Sequence, residues 1–407
     1  MLNTPFSPWP SFSDEEIQAV SQVLRSGRVN YWTGEECRAF EREFAQWCES
    51  SHAIALANGT VALDLALRAL DVGPGDEVIV TPRTFLASVS CVVNAGAKPV
   101  FADVDRDSGN ITAATITAVL SPRTKAVIPV HLAGWPCDMD PIMELAARYG
   151  FKVIEDCAQA HGSRYKGRSV GTIGHIGAWS FCQDKIITTG GEGGMVTTKD
   201  ADLWSRMWSF KDHGKSWEAV YERPHPPGFR WLHESFGTNW RMTEMQAAIG
   251  RIQLRRLGEW SAAREANAAV LHKVLATFAR ENGPVRVPFL SGRPDMGNDS
   301  RHAYYKFYAY VRPENLAQGW SRDRIVNEIV SNSVPCYQGS CSEVYLERAF
   351  DDTGLRPPMP LPTAHELGET SLMFLVHPTL TAEEVIKTAD VVGKVLSAAQ
   401  KSQAISP

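Results

Sequence analysis

Residues 125–157 read KAVIPVHLAGWPCDMDPIMELAARYGFKVIEDC. The segment begins with a β-rich run, KAVIPVHL, continues with a helical stretch, MDPIMELAARYG at 139–150, and ends with a second β-rich run, KVIEDC. A strand, a helix and a strand in this order are typical of a unit whose two strands lie parallel in one sheet.

The same alternation extends to both sides of this segment, from residue 52 to about residue 200. Further β-rich runs are AIAL, EVIVT, KPVFADV, AWSFC and MVTT, and VALDLALRAL at 61–70 is a further helical stretch. We therefore predict an α/β fold with a mostly parallel central sheet flanked by helices. Ligands of such sheets bind at the carboxyl ends of the strands, so we expect the functional residues to gather there.

Two helices are predicted before the α/β region. Ser13 and Glu16 have the spacing of a capping box, and Gly27 is placed to end the helix that they begin. Thr33 and Glu36 have the same spacing, so we predict a second capped helix from there.

A long helical segment from about Thr243 to Leu275 follows the α/β region. Beyond it, the β-rich runs HAYYKFYAYV and SLMFLVH alternate with helical stretches, a pattern typical of an α+β arrangement. Because the chain of 407 residues is long for one core, we predict two domains, a large one over residues 1–250 and a smaller C-terminal one over residues 251–407.

The composition favours a small-molecule partner. Hydrophobic residues make up 44% and charged residues 21% of the chain, and the net charge of −5 gives no reason to bind nucleic acid or an anionic membrane. No apolar run reaches the roughly 18 residues that cross a bilayer, and the first ten residues lack the features of a signal peptide, so we expect a cytoplasmic protein.

Metal and dinucleotide sites are not predicted. The eight cysteines form no C-x-x-C pair and the histidines no H-x-x-x-H pair, so we expect reduced thiols and no metal ion. The run GTIGHIG at 171–177 lacks the G-x-G-x-x-G spacing and opens no evident helix, which argues against a dinucleotide-binding fold.

Two charged side chains stand where the predicted fold places a ligand. VIEDCAQAHG at 153–162 puts Asp156 and Gln159 at the carboxyl end of a buried strand. Lys185 follows 29 positions after Asp156, between a predicted strand and the glycine-rich turn TTGGEGG. Taken singly, Asp156 is equally well explained as a helix cap, and Lys185 is better explained as an exposed loop residue.

A pyridoxal cofactor explains both residues together. Such a cofactor needs an amine for its aldehyde, an acid for its ring nitrogen, an aromatic cover and a phosphate cup. Lys185 offers the amine, and Asp156 offers a negative charge that keeps the ring nitrogen protonated.

The cover and the cup also have candidates. The turn before the helical stretch at 61–70 contains Gly59 and Thr60, so backbone N–H groups and a hydroxyl meet an anion at a positive helix end, and Ser180 is a second hydroxyl. Phe85 follows a predicted strand and could stack on the ring. Taken singly, the turn is better explained as an N-cap and Phe85 as a core residue.

Together these segments resemble the nucleotide-sugar aminotransferases of the DegT/StrS type, which have the fold of the fold type I pyridoxal-phosphate-dependent transferases. The resemblance covers nearly the whole chain. It rests on the NGT turn at 58–60, GPGDEVIVTP at 73–82 with the Phe85 that follows, EDCAQAHG at 155–162, SF-x-x-x-K at 180–185 and FGTNWRMTEMQAAIG at 236–250.

The resemblance implies roles for individual residues. Lys185 would hold pyridoxal 5'-phosphate as a Schiff base, and Asp156 would pair with the ring nitrogen. Gln159 would contact the oxygen side of the ring, and Phe85 would stack on it. The phosphate would be held by Gly59, Thr60 and Ser180, together with Asn239 of the neighbouring subunit in a homodimer with shared active sites. The sugar nucleotide would be contacted by Trp32, His213, Arg241 and Tyr304.

The implied reaction transfers an amino group from L-glutamate to a 3-keto or 4-keto sugar linked to UDP, dTDP or GDP, through the pyridoxamine 5'-phosphate form of the cofactor. It would serve amino-sugar biosynthesis for a surface polysaccharide such as a lipopolysaccharide O-antigen. Three alternatives stay open: a non-catalytic regulatory protein that binds the cofactor, another pyridoxal reaction such as elimination, and an aminotransferase that acts on a cyclitol.

Three positions depart from the family pattern, and all bear on the sugar pocket rather than on the cofactor. Cys182 stands where the family often has a histidine, TTGGEGG at 188–194 is one residue longer than usual, and LMFLVHPTL at 372–380 replaces the commoner ending. The lysine at position 185 argues against the dehydratase branch of the family, which has a histidine there.

Overall fold

The computed structural model describes residues 6–290 and 293–401 of the chain. Most of its strands have few exposed residues, in keeping with the β-rich runs of the sequence. Numbered along the chain, the strands are β1 (His52–Leu56), β2 (Glu77–Val80), β3 (Lys98–Phe101), β4 (Thr124–Ile128), β5 (Lys152–Asp156), β6 (Arg164–Tyr165), β7 (Arg168–Ser169), β8 (Ile176–Ser180), β9 (Gly194–Thr198), β10 (Val285–Arg286), β11 (Phe307–Val311) and β12 (Ser371–Phe374).

The helices separate most of these strands. Numbered in the same way, they are α1 (Asp14–Ser26), α2 (Glu36–Cys48), α3 (Gly59–Ala69), α4 (Ala87–Asn94), α5 (Ala113–Thr117), α6 (Met139–Tyr149), α7 (Ala201–Lys211), α8 (Trp217–Tyr221), α9 (Glu244–Thr277), α10 (Arg322–Ser331), α11 (Pro362–Thr370) and α12 (Ala382–Ala399).

Seven strands form one central sheet in the spatial order β1-β9-β8-β5-β4-β2-β3. The pairs from β8 to β3 are all parallel, whereas β9 is antiparallel to both of its neighbours. The sheet is therefore mostly parallel, as predicted, with one reversed strand. The parallel strands direct their carboxyl ends to the same edge, where β5 ends at Asp156 and β8 ends at Ser180.

Helices cover both faces of this sheet. Because side chains alternate along a strand, Val78 and Val80 of β2 pack with residues of α3, α4 and α7, whereas Ile79 packs on the other face with residues of α5 and α6. The β5 strand follows the same rule, with Ile154 in the first cluster and Val153 in the second. Burial on both faces explains why these strands read as continuous apolar runs.

The two predicted N-terminal helices are present, but only one begins as predicted. Ser13 and Glu16 form the capping box of α1, and Gly27 ends that helix in the left-handed conformation with φ 67°. The predicted box of Thr33 and Glu36 is wrong, because α2 begins after Glu35 and has no side-chain cap.

A carboxylate from another helix takes the place of the missing cap. Glu244, at the start of α9, accepts a hydrogen bond at 2.5 Å from the backbone N–H of Glu36. The hydroxyl of Thr33 instead donates to the carbonyl of Asn30. The free N–H groups at a helix start need an acceptor, and here it comes from a residue 208 positions away.

The long predicted helix is α9, which spans Glu244–Thr277. Its first half packs against α2 through Ala247, Leu254 and Leu257, and its second half packs in the C-terminal core with Leu271 and Leu275. That core also contains the three-stranded sheet β10-β11-β12 and helices α10 and α12. The predicted division of the chain at residue 250, which lies inside α9, stays a prediction.

Within the described residues, no helix combines the length and the apolar character that a membrane crossing requires. All eight cysteines are free thiols in the structure.

Candidate active site

A cavity of about 520 Å³ opens at the carboxyl ends of β5 and β8. Its walls come from the start of α3, the loop before α4, the end of β5 and the loop after β8. Predicted cofactor residues from all four segments line it, namely Gly59, Thr60, Phe85, Asp156, Gln159, Ser180 and Lys185.

Asp156 is the last residue of β5, and only 5% of its surface is exposed. One carboxylate oxygen accepts a hydrogen bond from the hydroxyl of Ser88 at 2.7 Å, and the other accepts one from the N–H of Ala158 at 3.1 Å. Burial raises the pKa of Asp156 above its ordinary value, although these two bonds and the charge of Lys185 act in the opposite direction. A cation in the cavity beside Asp156 would therefore favour its ionised form.

Ser88 belongs to the site although the sequence did not single it out. Its hydroxyl also lies 2.8 Å from the hydroxyl of Thr84, in the loop that carries Phe85. The signal available in the sequence was the spacing of Thr84 and Ser88, which is one helical turn. Asp156 and the loop of Phe85 are thus joined through one serine.

Phe85 lies in this cavity and not in the protein core. Its side chain is 72% exposed, so the reading of Phe85 as a core residue is excluded. An exposed aromatic ring at the wall of a cavity offers a flat apolar surface for a planar ligand.

The start of α3 forms a cup for an anion. The side chain of Asn58 caps the helix by accepting from the N–H of Val61 at 3.0 Å, while the N–H groups of Gly59 and Thr60 belong to the first turn, which has no partners within a helix. A Cβ atom on Gly59 would lie 2.6 Å from Cβ of Ser180, so only glycine allows the two segments to approach this closely. The cup therefore combines a positive helix end with the hydroxyls of Thr60 and Ser180.

Lys185 stands in the loop between β8 and β9. Its side chain is largely buried, and its amine lies 3.5 Å from a carboxylate oxygen of Asp184 and 5.2 Å from the centre of the Tyr305 ring. The hydroxyl of Tyr305 donates a hydrogen bond to Asp184. Neither residue was singled out from the sequence, since nothing local connects positions 184 and 305.

Gln159 lines the cavity three residues after Asp156, the last residue of β5. Its side-chain oxygen accepts from the N–H of Ala133 at 2.7 Å. The amide group is thereby oriented, because the oxygen is engaged by the backbone and the NH₂ is left as the group that can donate to a ligand.

Five predicted residues do not line this cavity, and four of them lie together elsewhere. Asn239 pairs with Asp212 as an isolated bridge, Arg241 binds the carboxylate of Asp212 at 2.7 Å, and the N–H of His213 donates to Thr238. Trp32 joins them through Lys215, whose amine lies 4.0 Å from the indole and 3.3 Å from Asp212. We name this group, formed by Trp32, Asp212, His213, Lys215, Asn239 and Arg241, the Asp212 cluster.

Tyr304 is the remaining predicted substrate residue. It lines a small neighbouring cleft together with Ala133 and His302, and its ring stacks on His302 at 4.1 Å. The N–H of Ala133 is the group that binds Gln159, so this cleft adjoins the cavity wall at one residue.

A second buried carboxylate lies directly before Asp156. Glu155 accepts hydrogen bonds from the N–H groups of Gly171, Ile173 and Gly174, at 2.8, 2.8 and 2.6 Å, and lies 3.0 Å from Nε2 of His131. The run GTIGHIG therefore wraps a carboxylate of its own chain. Because Nδ1 of His131 accepts from the N–H of Cys137, its Nε2 carries the proton and donates to Glu155.

The side chains of His131, Glu155 and Cys157 lie close enough to share a metal ion. The hydrogen bonds of His131 engage both of its ring nitrogens, and Glu155 accepts four, so these donors are already occupied by the protein. His131 and Glu155 therefore support the strand that ends in Asp156.

The model of the DegT/DnrJ/EryC1/StrS aminotransferase family matches residues 10–395. The chain belongs to this family. It is therefore an aminotransferase, and its fold is that of the fold type I pyridoxal-phosphate-dependent aminotransferases.

Individual relatives agree with this assignment. The chain is 41% identical to GDP-perosamine synthase of Caulobacter vibrioides over 292 residues, which are 71% of this chain and 72% of that protein. It is 35% identical to dTDP-3-amino-3,4,6-trideoxy-alpha-D-glucose transaminase of Streptomyces venezuelae over 379 residues, 93% of this chain and 91% of that protein. The crystal structure of an aminotransferase from Psychrobacter cryohalolentis superposes with a TM-score of 0.95 at 64% identity, covering 97% of this chain and 99% of that one.

In this aminotransferase, Glu155→Gln is expected to lower the free energy of unfolding by about 3 kcal/mol at pH 7, because an amide NH₂ would face backbone N–H donors. Burial raises the pKa of Glu155, but the bonds from His131, Gly174 and Gly171 outweigh it and leave the pKa below its ordinary 4.5. The advantage of the wild type is thus present above pH 4.5 and is lost as the pH falls through the lower, folded value.

Urea unfolding of both proteins between pH 7 and pH 3.5 measures this difference. The control is Glu366→Gln, which removes an exposed pair with Arg106 and should change the stability by less than about 1 kcal/mol. Equal stability of wild type and Glu155→Gln at pH 7 would contradict the supporting role of Glu155.

Proposed function

We propose that this chain transfers an amino group from L-glutamate to a keto sugar linked to a nucleoside diphosphate, with pyridoxal 5'-phosphate as its cofactor. The observation that carries the proposal is the cavity that Lys185 and Asp156 share with an anion cup and an exposed aromatic ring. Support for the substrate class comes from the relatives, two of which are named for a GDP-linked and a dTDP-linked amino sugar.

The residues of the cavity fit the cofactor part by part. The start of α3 would hold the phosphate through Gly59, Thr60 and the hydroxyl of Ser180, since a helix N-terminus stabilises an anion. Phe85 would cover the ring, because its face is exposed to the cavity. Gln159 would donate from its free NH₂ to the oxygen attached to the ring.

Asp156 would pair with the ring nitrogen. Ser88 and Ala158 fix the orientation of the carboxylate without neutralising it, so its negative charge stays available to a cation in the cavity. The hydrogen bond between His131 and Glu155 holds the end of β5 at the residue before Asp156, which keeps Asp156 in place when a ligand enters.

When bound, pyridoxal phosphate supplies an aldehyde for the amino group and an electron-withdrawing ring for the α-carbanion character that develops on the donor. Lys185 would provide the amine that holds the cofactor covalently and, once released, would act as the base at the reacting carbon. Its Nζ would take the α-proton of L-glutamate and deliver a proton to the carbon that carried the aldehyde. In the second half-reaction the same amine would move protons in the reverse direction, with the keto sugar as acceptor.

The Asp212 cluster requires a second subunit if its residues take part. Asn239 is exposed, and neither it nor Trp32, His213 or Arg241 lines the cavity of its own chain. We therefore propose a homodimer in which Asn239 of one subunit reaches the phosphate in the other, and the cluster contacts the sugar nucleotide there. Tyr304 would contact the substrate from the same chain as Lys185.

Lys185→Ala is expected to lose covalent cofactor and to release 2-oxoglutarate from L-glutamate at least about 10³-fold more slowly, because the amine is both the anchor and the base. The assay uses purified protein with added cofactor, and borohydride reduction followed by mass spectrometry detects the attached group. Lys125→Ala, at the amino end of β4, is the matched control and should behave as wild type.

The substrate class is tested in the same assay. Wild-type protein is incubated with L-glutamate and a panel of GDP-, dTDP- and UDP-linked 3-keto and 4-keto sugars, and amino sugars are detected by mass spectrometry. Amination of at least one is expected. If 2-oxoglutarate forms but no sugar in the panel is aminated, the proposed acceptor class is wrong while the aminotransferase chemistry stands.

Mixing Lys185→Ala subunits with Asn239→Ala subunits is expected to restore activity to about a quarter of the wild-type level. Random exchange makes half of the dimers mixed, and each mixed dimer has one site with both residues intact. The measurement compares the mixture with each variant alone, after native mass spectrometry has established subunit exchange. No gain over the separate variants would argue against shared sites.

A further inference from the structure

We propose that Trp9 is a positioning residue for Lys185: its indole N–H holds the main-chain carbonyl of the lysine and so sets the direction in which the amine enters the cavity. The inference rests on the role proposed above for Lys185. Trp9 does not line the cavity, and no local sequence motif connects Trp9 with the cavity.

The contact is a direct hydrogen bond between distant parts of the chain. Nε1 of Trp9 donates to the carbonyl oxygen of Lys185 at 2.8 Å, across 176 positions of sequence. On the other side of the residue, the N–H of Lys185 donates to the carbonyl of Cys182 at 3.1 Å. Both backbone polar groups of Lys185 are therefore engaged. The backbone is held on both sides of Cα, and this sets the direction of the Cα–Cβ bond.

The indole itself is held firmly. The ring of Trp260 meets it edge-on at 5.1 Å, the guanidinium of Arg264 lies 5.1 Å from its centre, and His377 stacks on it at 6.1 Å. Arg264 is fully buried, and its Nη1 donates to the backbone carbonyls of Tyr304 and Tyr305. An aromatic ring packed on three sides keeps its N–H in one direction.

Residues 6–13, here named the N-terminal strap, attach this indole to the C-terminal part of the chain. The N–H of Ser7 donates to Glu384 of α12 at 2.6 Å, and Thr379 donates to the carbonyl of Pro8 at 2.7 Å. At the other end, the hydroxyl of Ser13 accepts from Arg256 of α9 at 2.8 Å. The strap is thus anchored on both sides of Trp9.

Such a support matters because the lysine side chain is long and flexible. Covalent attachment condenses the Lys185 amine with the aldehyde, which forms one C=N bond and releases one water molecule. The reaction requires the amine to stand within near-attack distance, and a shift of about 1 Å is enough to slow such steps strongly. The elements proposed to hold the phosphate and the ring do not include the strap, so its loss should affect attachment but not non-covalent binding.

The test uses Trp9→Phe, which keeps an aromatic ring and removes the N–H. Apoprotein is mixed with pyridoxal phosphate, samples are reduced with borohydride at intervals, and the adduct on Lys185 is counted by peptide mass spectrometry. Loss of one hydrogen bond of ordinary net strength predicts a rate about fivefold lower than that of wild type. Pyridoxamine phosphate, which cannot condense with the amine, should bind with an affinity within about twofold of wild type.

Two further variants complete the design. Trp320→Phe makes the same chemical change in the C-terminal region. It is expected to leave the rate of adduct formation and the affinity for pyridoxamine phosphate unchanged. Ser7→Ala removes the hydroxyl contacts of the strap with Glu384, at 3.2 and 3.0 Å, without altering the indole, and should slow adduct formation by about twofold. This variant keeps the proposal testable if Trp9→Phe does not fold.

An unchanged adduct rate in Trp9→Phe would overturn the proposal. An equal loss of adduct formation and of pyridoxamine phosphate binding would also overturn it, since that result describes general damage to the site. If the wild type itself forms no adduct on Lys185, the proposed function fails and the role of Trp9 falls with it, a result distinct from the other two.

Discussion

A carboxylate buried at the end of a parallel strand sets the conditions for this site. Asp156 is 5% exposed, and burial without a partner is costly for a charged group. The protein supplies Ser88 and the N–H of Ala158, which orient the carboxylate but bring no positive charge. Under the proposed function, a protonated pyridine ring that enters the cavity would be the cation that favours the ionised form of Asp156.

The topology of the sheet explains why the other groups lie within reach. Strand β8 is the parallel neighbour of β5, so Ser180 at its end and Lys185 in the following loop emerge beside Asp156. The antiparallel β9 lies between β8 and β1 in the sheet. Helix α3 follows β1 in the chain, and its N-terminus lies at the same edge. A mostly parallel sheet therefore collects residues from four separate segments at one edge.

Much of the fold could be predicted because its cause is local. Strands buried on both faces read as apolar runs, and α1, α9 and α10 begin near polar caps that the sequence displays. The helix at Glu36 was predicted with the wrong cap, since its acceptor is Glu244 of another helix. Local patterns carry no record of such a distant partner.

The site follows the same division. Residues in recognisable motifs, such as Asp156, Lys185 and Gly59, were named from the sequence and lie around one cavity. Ser88 and Tyr305 were missed because their contacts are made across the fold. Four residues of the Asp212 cluster, Trp32, His213, Asn239 and Arg241, were named from the family resemblance, and their proposed contact with a neighbouring subunit depends on assembly rather than on the fold of one chain.

The protonation state of the ring nitrogen tests the central claim most directly. Apoprotein is loaded with pyridoxal phosphate carrying ¹⁵N in the ring, and the ¹⁵N resonance is recorded at pH 8 for wild type and for Asp156→Asn. The account predicts the resonance of a protonated ring in the wild type and that of a neutral ring in the variant, because only a charged carboxylate raises the pKa of that nitrogen enough. A neutral ring in the wild type, or the same resonance in both proteins, would contradict it.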